Sequence, residues 1–364
     1  MKRGIILEID LNKLRSNLGY IKRKVGRRKI IAVVKADAYG HGAIEISRTL
    51  EKEGVSFFGV AYLSEAIDLR ENGIKSPIIV FFDSDISDDI IKYSLIPVIN
   101  SIRTAKEISK LSRRFNKDIP VHINIDTGMG RMGIRYDTFN RDFEKIVSLP
   151  GIRITGIMSH FSDADLSDHS VAINQLQRFQ KALTFLHSKG ITAMAHMANS
   201  AAVINLPETY LDAVRPGILL YGVSPCPSDY ENPVMEAKSS IIDIRRLKKG
   251  TPVSYGRTYI TQRNSLIGLI PGGYADGIMR AISNRGCVLV RGRPAQVVGR
   301  ICMDLTMIDL TDVRDARVGD EVVLMGVQGS SRITPDDLAR WAGTISYEIL
   351  TTLGNSGRRI YRGL

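Results

Sequence analysis

Between residue 30 and about residue 220, short runs of β-branched and other apolar residues alternate with segments whose apolar positions recur at helical spacing. The runs are IIAVVK (30–35), FFGVA (57–61), PIIVFF (77–82), IPVIN (96–100), VHINID (121–126), ITGIMS (154–159), ITAMAH (191–196) and AVRPGILL (213–220). They are apolar on both faces and each leads into a helical pattern, which indicates parallel strands covered by helices. Between them, SEAIDLRENG (64–73) puts Ser64 at an N-cap and Gly73 at a stop, and VAINQLQRFQKALTFLHSKG (171–190) keeps an apolar stripe. Eight such units are what a (β/α)8 barrel requires. A doubly wound open sheet produces the same alternation and stands as the alternative.

After about residue 235 the texture changes. SSIIDIRRL (239–247), SLIGLIPGG (265–273), CVLVRGRPAQVVGR (287–300), LTMIDL (305–310) and EVVLMG (321–326) read as strands separated by Gly, Pro, Asn and Asp turns. A helical part from Thr334 to about Leu353 follows. The expected fold is therefore α/β: an N-terminal TIM-type barrel over residues 11–235 and a mainly β C-terminal domain over 236–364. The run ILEIDL (6–11) fits either domain, so residues 1–10 are expected to pack with one of the two.

Length and composition narrow the function classes. The chain has 364 residues, 44% hydrophobic and 24% charged, an ordinary globular composition with room for two domains. Lys plus Arg minus Asp plus Glu is 50 − 38 = +12. A nucleic-acid role rests on that charge alone, and the one dense run, Lys22, Arg23, Lys24, Arg27, Arg28 and Lys29, reads as a solvated helix end without interleaved aromatics. Cys226, Cys287 and Cys302 are widely spaced and lack His or Cys at ligand spacing, which argues against a disulfide framework or a metal site. The apolar stretch Gly4–Leu7 is too short for a signal h-region and no run approaches the roughly 18 apolar residues of a membrane span, so the expectation is a cytoplasmic protein without membrane contact.

In a barrel, chemistry sits where strands end. The first run ends in Lys35, a residue that packing does not explain and that burial would turn into a nucleophile or base. The fifth ends in DTGMGR (126–131), the sixth leads to His160, the seventh to His196, Asn199 and Ser200, and the eighth carries Arg215 before Gly217. Ser200 and Gly217 follow strands seven and eight, where barrels often hold phosphate. One lysine and one phosphate locus, with no metal cluster and no GxGxxG loop, suggest pyridoxal 5'-phosphate as a Schiff base on Lys35. A sugar-phosphate enzyme with a Schiff-base lysine competes, but leaves the second domain without a purpose.

AVVKADAYGHG (32–42) resembles the cofactor-lysine motif of the alanine racemase family. DTGMGRMG (126–133), GIMSHFSDAD (156–165), HMANSAA (196–202), VRPGILLYG (214–222), SYGRTY (254–259), PGGYADG (271–277), VGRICMD (298–304) and TISYEILTTLG (344–354) resemble further blocks of that family, in its order and across essentially the whole chain. The resemblance implies that Lys35 carries the cofactor and acts as base toward the D-side α-proton, with Tyr255 the base on the L-side. In the family that tyrosine comes from a second subunit, which implies a homodimer with composite sites. Arg131 would contact the cofactor's phenolic oxygen and the substrate carboxylate, Met303 would offer its backbone N–H to that carboxylate, and Tyr39, Ser200, Gly217, Ile218 and Tyr347 would hold the phosphate. Tyr274, Asp165, Arg280 and Arg300 are similar to residues lining the family's substrate access route.

The resemblance also places Arg215 at the pyridine nitrogen with His160 behind it. An arginine has no lone pair to offer, so the nitrogen stays unprotonated, the electron sink is weak, and reprotonation is favoured over transamination. The related barrel decarboxylases place a carboxylate there. One departure stands out: many members have a carbamylated lysine two residues before DTGMGR, and here the position is Asn124. A neutral amide cannot balance Arg131, and a chloride near Asn124 and Arg131 is the expected substitute. The implied activity is interconversion of L- and D-alanine, supplying D-alanine for peptidoglycan. The alternatives are a broader amino-acid racemase and a non-catalytic cofactor-binding protein, though the latter kind is similar only to the barrel half and lacks a counterpart of SYGRTY.

Overall fold

The structure, a computed structural model, describes residues 4–228, 230–355 and 357–364. The chain forms two compact units. One comprises Arg15–Ala38 and Ala43–Glu231, and the other the segment ending at Leu14, Tyr39–Gly42 and Asn232–Leu364. The first strand, β1 (Ile6–Asp10), belongs to the second unit.

The first unit is a closed barrel. Its strands are β2 (Lys29–Val33), β3 (Phe57–Val60), β4 (Ile78–Val80), β5 (Ile96–Ile99), β6 (Ile119–Asp126), a two-residue extension β7 (Ile134–Arg135), β8 (Ile152–Met158), β9 (Met194–His196) and β10 (Ala213–Val214). They pair in parallel in the order β5-β4-β3-β2-β10-β9-β8-β6, and β5 also pairs with β6, which closes eight strands into a ring with no free edge. Every one of the eight apolar runs contributes a strand, and the open-sheet alternative is excluded. The strand interiors are mostly apolar, as in the buried runs Ile78–Val80 and Ile96–Ile99, because helices cover the outside and other strands the inside. At one point the interior holds a ring instead of a branched chain: His122 lies opposite Gly156, and a Cβ at Gly156 would come within 2.4 Å of the imidazole.

Three local expectations shift. The helix after β3 spans Leu63–Glu71 with Tyr62 at its N-cap, so Ser64 lies inside it and is not the cap. Glu65 displaces the serine from that role: its Oε2 accepts from the backbone N–H groups of Ala61 and Tyr62 at 2.7 and 3.2 Å. The eighth strand is only Ala213–Val214, because Pro216 has no N–H for a ladder and the chain turns into a 3-10 segment at Ile218–Tyr221. The first barrel strand, β2, stops at Val33, and Lys35 opens a turn in which Ala36, Asp37, Ala38 and Tyr39 all have φ between 51 and 54°.

The second unit is mainly β. β1 pairs antiparallel with β11 (Met235–Ser240), Leu7 facing Ala237, and parallel with β21 (Arg358–Arg362), Leu7 facing Arg359. The remaining strands are β12 (Asp243–Leu247), β13 (Pro252–Val253), β14 (Tyr259–Ile260), β15 (Ser265–Pro271), β16 (Cys287–Val290), β17 (Arg293–Gln296), β18 (Leu305–Asp309), β19 (Glu321–Gln328) and β20 (Ser331–Ile333). The large sheet runs β17-β16-β19-β11-β1-β21 with β20 on β19, and β12-β15-β18 form a smaller antiparallel sheet. Val253, Ile267 and Val298 form a core with Leu247, Tyr259 and Met307 around them. The helical part consists of two helices, Pro335–Ala342 and Ser346–Gly354, the first capped by Thr334. Among the described residues no helix is long and apolar enough to cross a membrane.

Candidate active site

The groups singled out in the barrel stand at the C-terminal ends of its strands. Lys35 is two residues beyond β2, Arg131 follows β6, His160 is two beyond β8, Ser200 opens a short helix after β9, and Arg215 directly follows β10. Several of them meet there.

Arg215 is the most constrained. It is 4% exposed, and no carboxylate pairs with it among the described residues. Its Nη1 donates to His196 Nδ1 at 2.8 Å and to the His196 carbonyl at 2.7 Å. Its Nη2 donates to the carbonyls of Ser159 and Met197 at 2.6 and 3.2 Å and to His160 Nδ1 at 3.2 Å. A guanidinium has no lone pair, so both imidazoles must present a bare Nδ1 and carry their proton on Nε2. His196 Nε2 then donates to His122 Nδ1, 2.9 Å away, which puts the His122 proton on its own Nε2. The three histidines are consequently neutral. Burial, reinforced by the charge of Arg215, holds His122 at a pKa of about 3 and pushes His160 and His196 well below the ordinary histidine value. Burial and then Arg131 pull Arg215 down to about 9, so it stays charged at neutral pH. One of its five N–H groups, Nε–H, has no partner among the described residues.

Lys35 and Arg131 also share a neighbourhood. Lys35 Nζ lies 5.3 Å from the centre of the Phe82 ring and Arg131 Cζ 5.2 Å from it. Burial lowers the Lys35 pKa, the charge of Arg131 lowers it further, and Glu65 acts in the opposite direction. Glu65 is held by three backbone N–H groups, since its Oε1 also accepts from Ala36 at 2.6 Å. Asp126 likewise accepts from Gly128 and Gly130 at 3.0 and 3.1 Å and braces the loop that carries Arg131. Asn124 donates from Nδ2 to Asn100 Oδ1 at 2.8 Å and to the Met132 carbonyl at 3.0 Å.

Ser200 and Gly217 are brought together. The Ser200 hydroxyl accepts from the backbone N–H of Gly217 at 2.9 Å and of Leu219 at 3.3 Å, leaving its own hydrogen to donate elsewhere. Ile218, buried beside them, starts the 3-10 turn. Asp165 is exposed.

In the other unit Tyr39 and Tyr347 have ring centres 5.9 Å apart, and burial, then Tyr347, raises the pKa of Tyr39. Tyr255 is presented differently: it is 68% exposed on a turn where Ser254, Gly256 and Arg257 have φ of 65, 69 and 50°. Arg300 packs against that turn, its carbonyl accepting from Ser254 Oγ and its guanidinium lying where a Cβ on Gly256 would come within 2.9 Å. Met303 and Tyr274 are exposed, and Arg280 opens a 3-10 turn over Arg280–Ile282.

His122, Phe82 and Glu65 were not visible as site residues in the sequence. His122 sits inside the strand run VHINID and Phe82 beside Phe81 at the end of another, both in positions that read as core. For Glu65 the spacing to Lys35 carries no signal.

A closed barrel that gathers polar groups at the C-terminal ends of its strands, together with a β-rich second unit, defines a two-unit barrel enzyme. Residues 9–225 match the family described as alanine racemase, N-terminal domain, and residues 234–361 that described as alanine racemase, C-terminal domain. The chain belongs to the alanine racemase family, a family of isomerases. It is 48% identical to an alanine racemase of Thermodesulfovibrio yellowstonii over 99% of this chain and 98% of that one. Among solved structures it is similar to an alanine racemase from Streptomyces lavendulae, with TM-score 0.94 and 32% identity over 100% of this chain and 98% of that one. The alanine racemase of Bartonella henselae, with covalently bound pyridoxal phosphate, superposes with TM-score 0.88 at 31% identity, covering 99% of each chain.

The neutral histidines make stability depend on pH with a definite sign. His122 has a pKa of about 3 folded against an ordinary 6.5, so the unfolded chain binds the extra proton between those values and stability is lost as pH falls from 6.5 toward 3. A His122→Gln variant, which cannot titrate, is expected to lose less stability over that interval, by up to about 1.4 kcal/mol per pH unit. Thermal unfolding at pH 7.5 and 5.5 checks this; parallel losses in Tm for the two proteins would mean that His122 is not held neutral.

Proposed function

We propose that the protein is a pyridoxal 5'-phosphate-dependent racemase that interconverts L- and D-alanine with two bases, Lys35 and Tyr255 of the partner subunit. The observation that carries this reading is the Nε–H of Arg215, which no group among the described residues accepts while the other donors of this side chain are committed. That N–H is open to a ligand, and a pyridine nitrogen, an acceptor with one lone pair, matches it. The rest of the site fits the same group: an amine at Lys35 for the aldehyde, and the free hydroxyl hydrogen of Ser200 with the Gly217–Ile218 backbone for the phosphate, where Tyr39 and Tyr347 would add phenols. When bound, the cofactor supplies the electron sink that makes the α-proton removable.

The residues of the chain supply the remainder. Lys35 Nζ, with its pKa lowered by burial and Arg131, gives up its proton more readily than an ordinary lysine and takes one from Cα on the D-side. Tyr255 Oη serves the opposite face, and its exposure on a strained turn, away from its own core, suits a group completed by a second copy of the chain. Arg131 orients the substrate carboxylate and the Met303 backbone N–H meets it. Arg215, a donor at neutral pH, would hold the pyridine nitrogen without protonating it, which would weaken the electron sink and favour reprotonation over transamination. The barrel half of this enzyme is the unit of Arg15–Ala38 and Ala43–Glu231, close to the expected 11–235, and the half that carries Tyr255 is built from Asn232–Leu364 with Ile6–Asp10 and Tyr39–Gly42. Its place is the cytoplasm and its product D-alanine for peptidoglycan.

Chloride belongs with Arg131 in this reading. Both hydrogens of Asn124 Nδ2 are committed, so an anion near Asn124 would be held chiefly by the Arg131 guanidinium. Raising chloride from trace to physiological concentration is expected to lower KM for alanine, and Asn124→Asp, which supplies its own charge, is expected to abolish that response. A KM indifferent to chloride in both proteins removes the anion.

The function itself is tested by loading the protein with pyridoxal phosphate and following L-alanine in D2O by NMR and chiral chromatography. Deuterium at Cα together with D-alanine is the expected outcome; exchange without D-alanine removes Tyr255 as a base, and no exchange removes the racemase. A composite dimer adds a stricter check. Lys35→Ala and Tyr255→Phe, each inactive alone, are expected to regain about one quarter of wild-type sites when subunits are mixed and exchanged equally, since half the dimers are mixed and each holds one intact site. No recovery despite subunit exchange would place both bases on one chain.

A further inference from the structure

Lys35 and Arg131 are two cations that approach one another without an acid between them. Among the described residues, neither side chain makes a hydrogen bond or an ion pair. The acidic groups nearby are committed to backbone N–H groups: Glu65 to Ala36, Ala61 and Tyr62, Asp126 to Gly128 and Gly130, and Asp83 to Leu63 at 2.7 Å and Asp85 at 3.0 Å. His160, also facing Lys35, is neutral. What both cations do share is the ring of Phe82, at 5.3 and 5.2 Å from its centre.

That ring is itself fixed. Its backbone N–H donates to the Ala61 carbonyl at 3.0 Å, continuing the line of β4 beside β3. Phe81, its neighbour, turns inward and is 5% exposed, with its ring filling the space above Gly59, whereas Phe82 stays half-buried. Core packing accounts for the first phenylalanine and not for the second.

We infer that Phe82 is a positioning residue of this site, its π face serving as the uncharged counter-group that holds Lys35 and Arg131 in place. The negative face of an aromatic ring attracts a cation most strongly where water is scarce. A carboxylate in the same place would occupy the fork of the Arg131 guanidinium and pin the proton on Lys35. A ring does neither: it leaves the N–H groups of Arg131 open to an anion and gives the Lys35 proton no acceptor. The inference rests on the racemase reading for what Arg131 then binds, but the contact itself concerns only the protein.

Two measurements separate these layers. In the full chain freed of cofactor, the pH profile of Lys35 modification by an amine-acylating reagent, followed by mass spectrometry, reports how well the ammonium form is stabilised. Phe82→Leu is expected to move the midpoint to lower pH, with Phe82→Tyr remaining at the wild-type position, and Phe82→Met provides a second non-aromatic side chain should leucine loosen the fold. In the loaded enzyme in chloride-free buffer, Phe82→Leu is expected to raise KM for alanine about three- to thirtyfold with a smaller change in kcat, and Phe82→Tyr to restore it. Unchanged midpoints in both non-aromatic variants overturn the inference, leaving Phe82 a spacer. A midpoint that moves in a protein that does not racemise alanine sinks the proposed function and leaves the contact standing.

Discussion

The barrel end is organised by a positive charge buried without a negative one. Placing a guanidinium in a low-dielectric interior costs several kcal/mol unless every donor is met, and a carboxylate is the usual remedy. The two Nη groups of Arg215 are met instead by three carbonyls and two imidazoles. Those acceptors come from Ser159, His160, His196 and Met197, at or just beyond the ends of β8 and β9. The arginine thus ties adjacent strand ends together and dictates which nitrogen of each histidine carries the proton. The same demand passes inward through His196 to His122, whose ring takes its place in the barrel because Gly156 leaves room for it.

A second consequence follows from the absence of a carboxylate. Arg215, Arg131 and Lys35 lie near one another while Glu65, Asp126 and Asp83 are bonded to backbone, so among the described residues none of the three cations is ion-paired and each lowers the pKa of its neighbours. Such a site favours anionic ligands, and it lowers the pKa of an amine placed in it. Both effects suit the proposed reaction, which would recognise a carboxylate and use a lysine as a base. One arrangement of cations would then serve binding and proton transfer together.

Much of this was legible in the chain and some was not, for identifiable reasons. The eight strands were, because a strand buried on both faces reads as an uninterrupted β-branched run. Lys35, His160, Ser200 and Arg215 were, because polar residues at the ends of such runs have no packing explanation. Tyr255 and Met303 were singled out only through resemblance, since an exposed tyrosine or methionine in a β domain is otherwise unremarked. The cap at Ser64 failed because the competing carboxylate of Glu65, one residue on, satisfies the N–H groups of Ala61 and Tyr62 and starts the helix earlier. His122 and Phe82 escaped because local pattern cannot distinguish a ring that packs from a ring that faces a cation.

The least legible features are the two strained turns, and they are where the proposed bases sit. Four successive residues without glycine, Ala36 to Tyr39, hold a left-handed conformation directly after Lys35. Each costs roughly 1–2 kcal/mol relative to the right-handed form, and nothing in Ala-Asp-Ala-Tyr announces it. The turn persists because carboxylates anchor it at both ends, Glu65 at the Ala36 N–H and Asp37 at the Ala43 N–H, each at 2.6 Å. The turn around Tyr255 has the same character, with Ser254 and Arg257 at positive φ and the Ser254 hydroxyl tied to Arg300. A relaxed loop at either place would let the side chain wander over several ångströms. The proposed proton transfer at opposite faces of one carbon would not tolerate that, so strain fixed by hydrogen bonds is the expected construction wherever a base must be held in one place.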